Sequence, residues 1–415
     1  MRHNLAVVSH GATQGSLVAR RAEQAGRQAG HDPTPIVKFH TPEMVFGAGS
    51  LVEAGPAAAR LGARRPMVVT DPGIVEAGWV AQLLTSLAGA GLTPVLFTEV
   101  TPNPRDYEVR HGTAVYRGND CDVIIGIGGG SPMDSAKGIA IAASNGGDIT
   151  DYVGIDKVTL PIPPMLMIPT TSGTGADVSQ FCIVTDTTRK VKMTIMGRAV
   201  VPDVSITDPR LLTIMPDDLN AATGLDALTH GIESYVSRGH NPLADTHALS
   251  AVGLVCRNLY RTIIEPSDAI ARGQMAQASL QAGVAFSNAI LGATHALSHQ
   301  VGGLFDAPHG VVNGILLPHV IRFNAAQAGD RFADLARAAG LAVAGMPDDE
   351  AADLLAEHTR RLADDVGIPS GLAAIGVTEP DIPRLASTIH GDCNLATNPR
   401  SMSEEDARHL FRLAL

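Results

Sequence analysis

The chain has 415 residues, 45% of them apolar and 18% charged, with a formal net charge of −11. That length exceeds what one hydrophobic core usually serves, so two domains are expected, and the composition excludes a disordered chain. The acidic balance argues against nucleic acid or an anionic membrane as partner, and no apolar run reaches the length of a bilayer span.

In chain order, residues 1–35 are polar and read as a loose N-terminal extension. Their stretch VARRAEQAGRQAG is a weak helix candidate, with an oligomer contact as the alternative. IVKFHTPEMVFG (36–47) is strand material with a turn, and SLVEAGPAAARLG a helix. PMVVTD is a short apolar run ending in an acid, the pattern of a buried parallel strand. A helix near 74–91, the strand TPVLFTEV, a helix begun by TPNP and the buried strand CDVIIGI follow. GGGSPMDSAKGIAIAASN is a Gly turn entering a helix, and MLMIPTTSGTGADVS and 181–207 add strands and loops. This alternation predicts an α/β layer with a mainly parallel sheet. From about 216 onward only helical patterns remain: 216–237, 242–262, 267–285, 310–325, 330–340, 348–366, 380–390 and 403–414. The expected division is 1–35 extension, 36–213 α/β domain and 214–415 all-helical domain.

Two stretches carry chemistry. In the first half, Gly126, Gly128, Gly129, Gly130 and Ser131 stand between an apolar strand and a helix opened by Pro132. Glycines let a backbone approach a pyrophosphate, and a helix N-terminus supplies N–H donors and partial positive charge. The spacing is not that of the usual GxGxxG fingerprint, and the best acid for a ribose, Asp71, lies upstream instead of downstream. Asp71 would accept from a 2′-hydroxyl and repel a 2′-phosphate, or serve equally as the N-cap of a helix starting at Pro72. Thr170, Thr171 and Thr174 lie in a second hydroxyl- and Gly-rich loop, 170–179.

In the second half, Asp226 and His230 are four residues apart on the helical stretch AATGLDALTHGIESYVS, so both project from one face. A carboxylate and an imidazole so placed are half of a divalent-metal site. The complement is LGATHALSHQVGGLFDAPHG, where a hinge at Gly302–Gly303 would fold His295 or His299 back beside His309. Spacing does not choose between His295 and His299, which share a face. The four cysteines are widely spaced with no CxxC pair, which excludes a sulfur-based zinc site and suits a reducing compartment. A cytoplasmic location is expected, since LAVV near the start is too short for a signal peptide.

From FHTPEMVFGAGS through TDPGI, TPNP, GGGSPMDSAKGIA, IPTTSGTGADV, TGLDALTHGIESYVS, GATHALSHQVGGLFDAPHGVVNGILLPHV and a closing NPR at 398–400, the chain resembles the iron-containing (group III) alcohol dehydrogenase family. The resemblance implies a dehydroquinate synthase-like α/β domain, an all-helical C-terminal domain and an active site in the cleft between them. It implies metal ligation by Asp226, His230, His295 and His309, with His299 left for proton transfer. It also implies a pyrophosphate on Gly128, Gly129, Gly130 and Ser131, and a nicotinamide near Asp134, which is thereby a catalytic candidate. Asn103, Thr170, Thr171, Thr174 and Lys192 fall at cofactor positions, and Asp71 where an acid accompanies NAD rather than NADP. Iron follows from the family name, and three nitrogens with one oxygen also suit Zn2+.

The chain departs from the family at Asp177, where Glu is usual. It also departs at Phe181 and Cys182, which with Phe286 and Asn394 are expected to shape a substrate pocket. The expected reaction is hydride transfer between a small primary alcohol and NAD, with the metal polarising the substrate oxygen. Two other activities fit the same architecture: a hydroxyacid–oxoacid transhydrogenase that retains its cofactor, and a dehydroquinate synthase-like lyase, which would need several basic residues in the cleft. A homo-oligomer, dimer or higher, is expected.

Overall fold

Short apolar runs in this chain become strands buried on both sides. The computed structural model of the protein describes residues 36–415, so the expectations for 1–35 lie outside the described residues. The strands are β1 Glu43–Phe46, β2 Met67–Val69, β3 Val95–Phe97, β4 Ile124–Gly128, β5 Gly154–Ile155, β6 Met165–Pro169, β7 Phe181–Asp186, β8 Val191–Met196 and β9 Val204–Thr207. Six form one sheet in the order β1-β9-β6-β4-β2-β3, with every neighbouring pair parallel. Alternate residues feed two cores. Val68, Ile125, Ile127, Leu166 and Ile168 face one side. Met67, Val69, Ile124, Met165 and Met167 face the other. Strands covered on both faces need no polar alternation, which is why they read as unbroken apolar runs. The antiparallel pair β7–β8 joins β5 in a separate three-stranded sheet.

The helices that cover the sheet are α1 Ala54–Arg60, α2 Pro72–Glu76, α3 Trp79–Gly89, α4 Asp106–Gly118 and α5 Gly130–Asn145. From residue 217 the described chain is helical, with no strand: α6 Asp217–Val236, α7 Pro242–Ile264, α8 Ala269–Ala289, α9 Ala293–Phe305, α10 His309–Ala338, α11 Asp348–Asp365, α12 Ile382–Ser387 and α13 Glu404–Leu413, with short 3₁₀ turns between. They share a third core rich in Ala and Leu. Phe39–Leu415 forms one compact unit. No helix among the described residues is long and apolar enough to cross a membrane.

Two expectations are corrected here. Helix α9 was not among the expected helices, although Ala293, Ala296, Leu297 and Val301 recur at i, i+3, i+4 and i+8 on one face and are all buried; the small and polar residues between them, with Gly302 and Gly303, weaken the pattern. The hinge is also elsewhere. Gly302 and Gly303 stay helical against Lys192 of β8, and the chain reverses at Asp306, which is left-handed (φ 51°), before Pro308.

Candidate active site

Helix α6 is buried along nearly its whole length, so its polar residues meet other elements and not water. Asp226 and His230 occupy one face of it. Helix α9 brings His295, and α10 brings His309 as its first residue. The last placement depends on Gly310, since a Cβ there would lie 2.0 Å from the Ala222 carbonyl oxygen on α6. Oδ1 of Asp226 lies 3.6 Å from Nε2 of His230, 3.6 Å from Nε2 of His295 and 3.7 Å from Nε2 of His309. The ligating atoms of Asp226, His230 and His295 all fall within 4.8 Å of one another, while His309 reaches this trio through Asp226.

Each imidazole is held at its other nitrogen. His230 Nδ1 pairs with the Gly173 carbonyl at 3.1 Å, His295 Nδ1 with Glu233 Oε2 at 2.6 Å, and His309 Nδ1 with Ser298 Oγ at 3.1 Å. Such partners fix ring orientation and leave Nε2 for a cation. Metal bonds of roughly 2.1 Å to nitrogen and oxygen give tetrahedral edges of about 3.4 Å, close to the separations seen here. The donor set therefore fits a divalent metal.

The site's charge balance points the same way. Burial alone would raise the Asp226 carboxyl, but the surrounding rings hold it well below the usual carboxylate range. Burial pulls His230 down to about 4 and His309 well below its ordinary value. His295 is also penalised by burial, yet the carboxylates of Asp226 and Glu233 on its two sides push it up to about 9. One positive charge is thus already favoured at the centre of this cluster.

Four residues here were not found from the sequence. Glu233, one turn beyond His230, is 2% exposed and holds His295. Asn313, one turn beyond His309, donates from Nδ2 to Asp226 Oδ1 at 2.8 Å. Asp392 accepts from His299 Nδ1 at 2.6 Å. Lys137 is fully buried, and its Nζ donates to the carbonyls of Ser179 and Phe181 at 2.7 and 2.8 Å, fixing the segment that bears Phe181. The legible signal was a charged residue on an otherwise apolar or small-residue helix, present for Glu233 and Lys137. Asp392 and Asn313 carried no such mark.

His299 lies one turn from His295 but turns to Asp392, stacking on His309 at a centroid distance of 5.2 Å. It lines a cavity of about 850 Å³ that runs from Asp71 to Asn394. Asn103, Gly129, Gly130, Ser131, Asp134, Thr170, Thr171, Thr174 and Lys192 line it too, as do Asp226, His230, His295 and His309. Gly128 is at the turn behind, with φ 148°, where a Cβ would meet Pro132 Cγ at 2.5 Å. Its carbonyl accepts from Thr170 N–H at 2.9 Å, tying the two loops together. Asp71 caps α2, accepting from Ile74 N–H at 3.0 Å through one oxygen, while the other lies beside Gly128. Both sequence readings of Asp71 are therefore compatible.

Asn103 donates its amide to Asp306, and Lys192 Nζ donates to Asn103 Oδ1 at 2.9 Å. Thr171 Oγ1 is enclosed without a hydrogen-bond partner among the described residues, a polar orphan that suits a hydroxyl-rich ligand. Phe181, Phe286 and Asn394 line the cavity, but Cys182 does not. Strand β7 alternates, sending Phe181 and Ile183 to the cavity and Cys182 into the core, where its Sγ donates to the Asp134 carbonyl at 3.3 Å.

Comparison with known proteins decides the family. The description "Iron-containing alcohol dehydrogenase" matches residues 41–209, and "Fe-containing alcohol dehydrogenase family, C-terminal" matches 220–415. The chain belongs to the iron-containing alcohol dehydrogenase family. It is 43% identical over 371 residues to 1,3-propanediol dehydrogenase of Citrobacter freundii, covering 89% of this chain and 96% of that protein. It is 38% identical over 377 residues to NAD-dependent methanol dehydrogenase of Bacillus methanolicus, covering 91% and 99%. The solved structure of a 1,3-propanediol oxidoreductase superposes with a TM-score of 0.89 at 42% identity, over 92% of this chain and all of the other.

This iron-containing alcohol dehydrogenase is thus a metal-dependent alcohol dehydrogenase or aldehyde reductase that works with a nicotinamide dinucleotide. The lyase alternative meets a physical obstacle as well. Lys192 is the only lysine or arginine among the described residues lining the cavity, too little positive charge for a polyanionic substrate.

Proposed function

We propose that the enzyme uses Fe2+ and NAD to interconvert a small primary alcohol and its aldehyde. Iron would be held by Asp226, His230, His295 and His309; Zn2+ suits the same donors. The observation that carries this is the anchoring of all three imidazoles at Nδ1, which turns every Nε2 toward Asp226 Oδ1. When bound, a divalent metal there supplies Lewis acidity toward the substrate oxygen.

The chain's own residues do the rest. Gly128–Ser131 and the N-terminus of α5 would seat the pyrophosphate, and Asn103, Thr170, Thr171, Thr174 and Lys192 would contact the cofactor, with the nicotinamide near Asp134. The Asp71 oxygen beside Gly128 favours NAD over NADP by repelling a 2′-phosphate. Oxidation moves a hydride from the alcohol carbon to the nicotinamide and releases one proton. His299, oriented by Asp392, would take that proton toward solvent. Phe181 and Phe286, with ring centroids 5.6 Å apart, give the substrate an apolar wall. This reading divides the enzyme into a nucleotide half, 36–213, and a metal half, 214–415, and takes it as a cytoplasmic homo-oligomer.

The test is metal analysis of the purified protein together with NADH formation from a panel of alcohols. His230→Ala is expected to lose metal and activity together while still binding NADH. An active, metal-free His230→Ala protein would refute the site.

A further inference from the structure

Among the polar side chains of the cavity wall that neither the metal site nor the cofactor site uses, Asn394 stands out. Asn394 is 1% exposed, lines the cavity, and its Oδ1 has no hydrogen-bond partner among the described residues. A buried amide oxygen left unpaired costs roughly 1–3 kcal/mol, so an orphan at a ligand cavity suggests that the ligand completes it.

Its place is well determined. Asn394 lies in the 3₁₀ turn Cys393–Thr397, whose cap is Asp392. One Asp392 oxygen accepts the Asn394 backbone N–H at 2.9 Å, and the other accepts His299 Nδ1 at 2.6 Å. A single carboxylate therefore sets both His299 and Asn394. On the other side, Thr397 Oγ1 donates to the carbonyls of Leu291 (2.7 Å) and Asn394 (3.1 Å), joining the turn to Leu291. Leu291 clusters with Phe181 and Phe286, and the Phe286 ring stacks on His230 at 4.4 Å. The amide thus stands against an apolar wall whose other end touches the metal-ligand set.

We propose that the Asn394 carboxamide reads a second oxygen on the substrate, so that short diols and the matching hydroxyaldehydes are preferred over plain alkanols and alkanals. The inference rests on the cavity being the alcohol site. One substrate oxygen goes to the metal-ligand end, and the carbon chain lies along Phe181, Phe286 and Leu291. The remaining hydroxyl donates to Asn394 Oδ1. An alkanol of the same length leaves that oxygen unpaired, and sites built around a hydrogen bond reject analogues that lack it.

The experiment compares kcat/KM of the metal-loaded enzyme for 1-propanol, 1,2-propanediol and 1,3-propanediol, in the wild type and in Asn394→Leu. At least one diol is expected to exceed 1-propanol by about tenfold or more. Asn394→Leu is expected to lower kcat/KM for the diol far more than for 1-propanol, removing most of that preference. If Asn394→Leu does not fold, Asn394→Ala, which only deletes atoms, decides on the same ratio. Equal efficiency on all three alcohols in the wild type, as when a water satisfies the amide, overturns the proposal, as does a diol preference that survives the substitutions. Either result leaves the small-alcohol reading standing. No turnover of any alcohol or aldehyde would instead refute that reading itself.

Discussion

Asp134 shows how one residue's surroundings set a measurable pH dependence. Burial pushes its carboxyl from 3.8 up to about 7, against the opposing charges of Lys137 and Lys192. The unfolded chain loses this proton near 3.8, whereas the folded protein keeps it until about 7. The stability from the protonated form is therefore complete below the unfolded value and is lost as pH rises through about 7. Asp134→Asn keeps the shape and removes the titration. Its thermal midpoint relative to wild type is expected to rise between pH 4 and 7 and to level off above. The gain is about 1–2 kcal/mol, well below the full shift, because water in the cavity reaches the carboxyl. A difference that stays flat with pH contradicts the assignment. Asp71 offers a second residue-level prediction. Since it caps α2, Gly is the substitution that retains most of the cap, at a cost of a few tenths of a kcal/mol. Asp71→Gly is expected to raise the NADP/NAD ratio of kcat/KM by about tenfold, the value of one unfavourable charge contact. An unchanged ratio removes Asp71 from ribose discrimination.

At the scale of an element, helix α9 explains both what the sequence revealed and what it hid. Its N-terminal N–H groups, normally orphaned, are all taken by buried side chains. Glu233 accepts from Gly292, Thr294 and His295, and Asn398 accepts from Ala293. The closing NPR motif, which the sequence presented only as a family match, is thus the clasp for the helix that carries His295. Asn398 also pairs with Asn324, and Arg400 lies over the Phe323 ring of α10. The i, i+4 pair Asp226 and His230 was legible because the partners share one helix. That His295 and not His299 turns toward Asp226 was not, because Glu233 and Asp392, which come from elsewhere in the chain, orient the two rings. Cys182, expected beside Phe181 in the pocket, lies in the core because successive residues of β7 face opposite sides. Glu233→Gln should separate the two jobs of this carboxylate. The amide oxygen can still accept from the helix, but the charge facing His295 is gone. Metal affinity, measured by competition with a chelator, is expected to fall about 10–100-fold, with NADH affinity unchanged. Unaltered metal affinity would reduce Glu233 to a helix cap.

Across the whole molecule, the proposed metal-ligand set joins α6 to the consecutive pair α9 and α10, which lies more than 50 residues further along the chain, in one core. Metal binding there would stabilise the folded state, because the unfolded chain does not hold these four side chains together. The loops proposed to hold the nucleotide lie instead on the parallel sheet and on α5. Chelation is therefore expected to lower the thermal midpoint while NADH still binds, as seen by its fluorescence. The dependence on metal is quantitative. Above the dissociation constant, each tenfold rise in free metal adds about 1.4 kcal/mol, less whatever affinity the unfolded histidines retain. For a chain of this length that is a rise of roughly 1–3 °C per decade. The same titration on His230→Ala is expected to be nearly flat and to start from a lower midpoint, since one corner of the set is gone together with the His230 ring's stacking on Phe286 and His295. A wild-type midpoint that ignores metal across several decades would mean that the four residues are a packed polar cluster and not a binding site. Loss of NADH binding on chelation would mean that metal and nucleotide sites fold as one unit, against the division into a nucleotide half and a metal half.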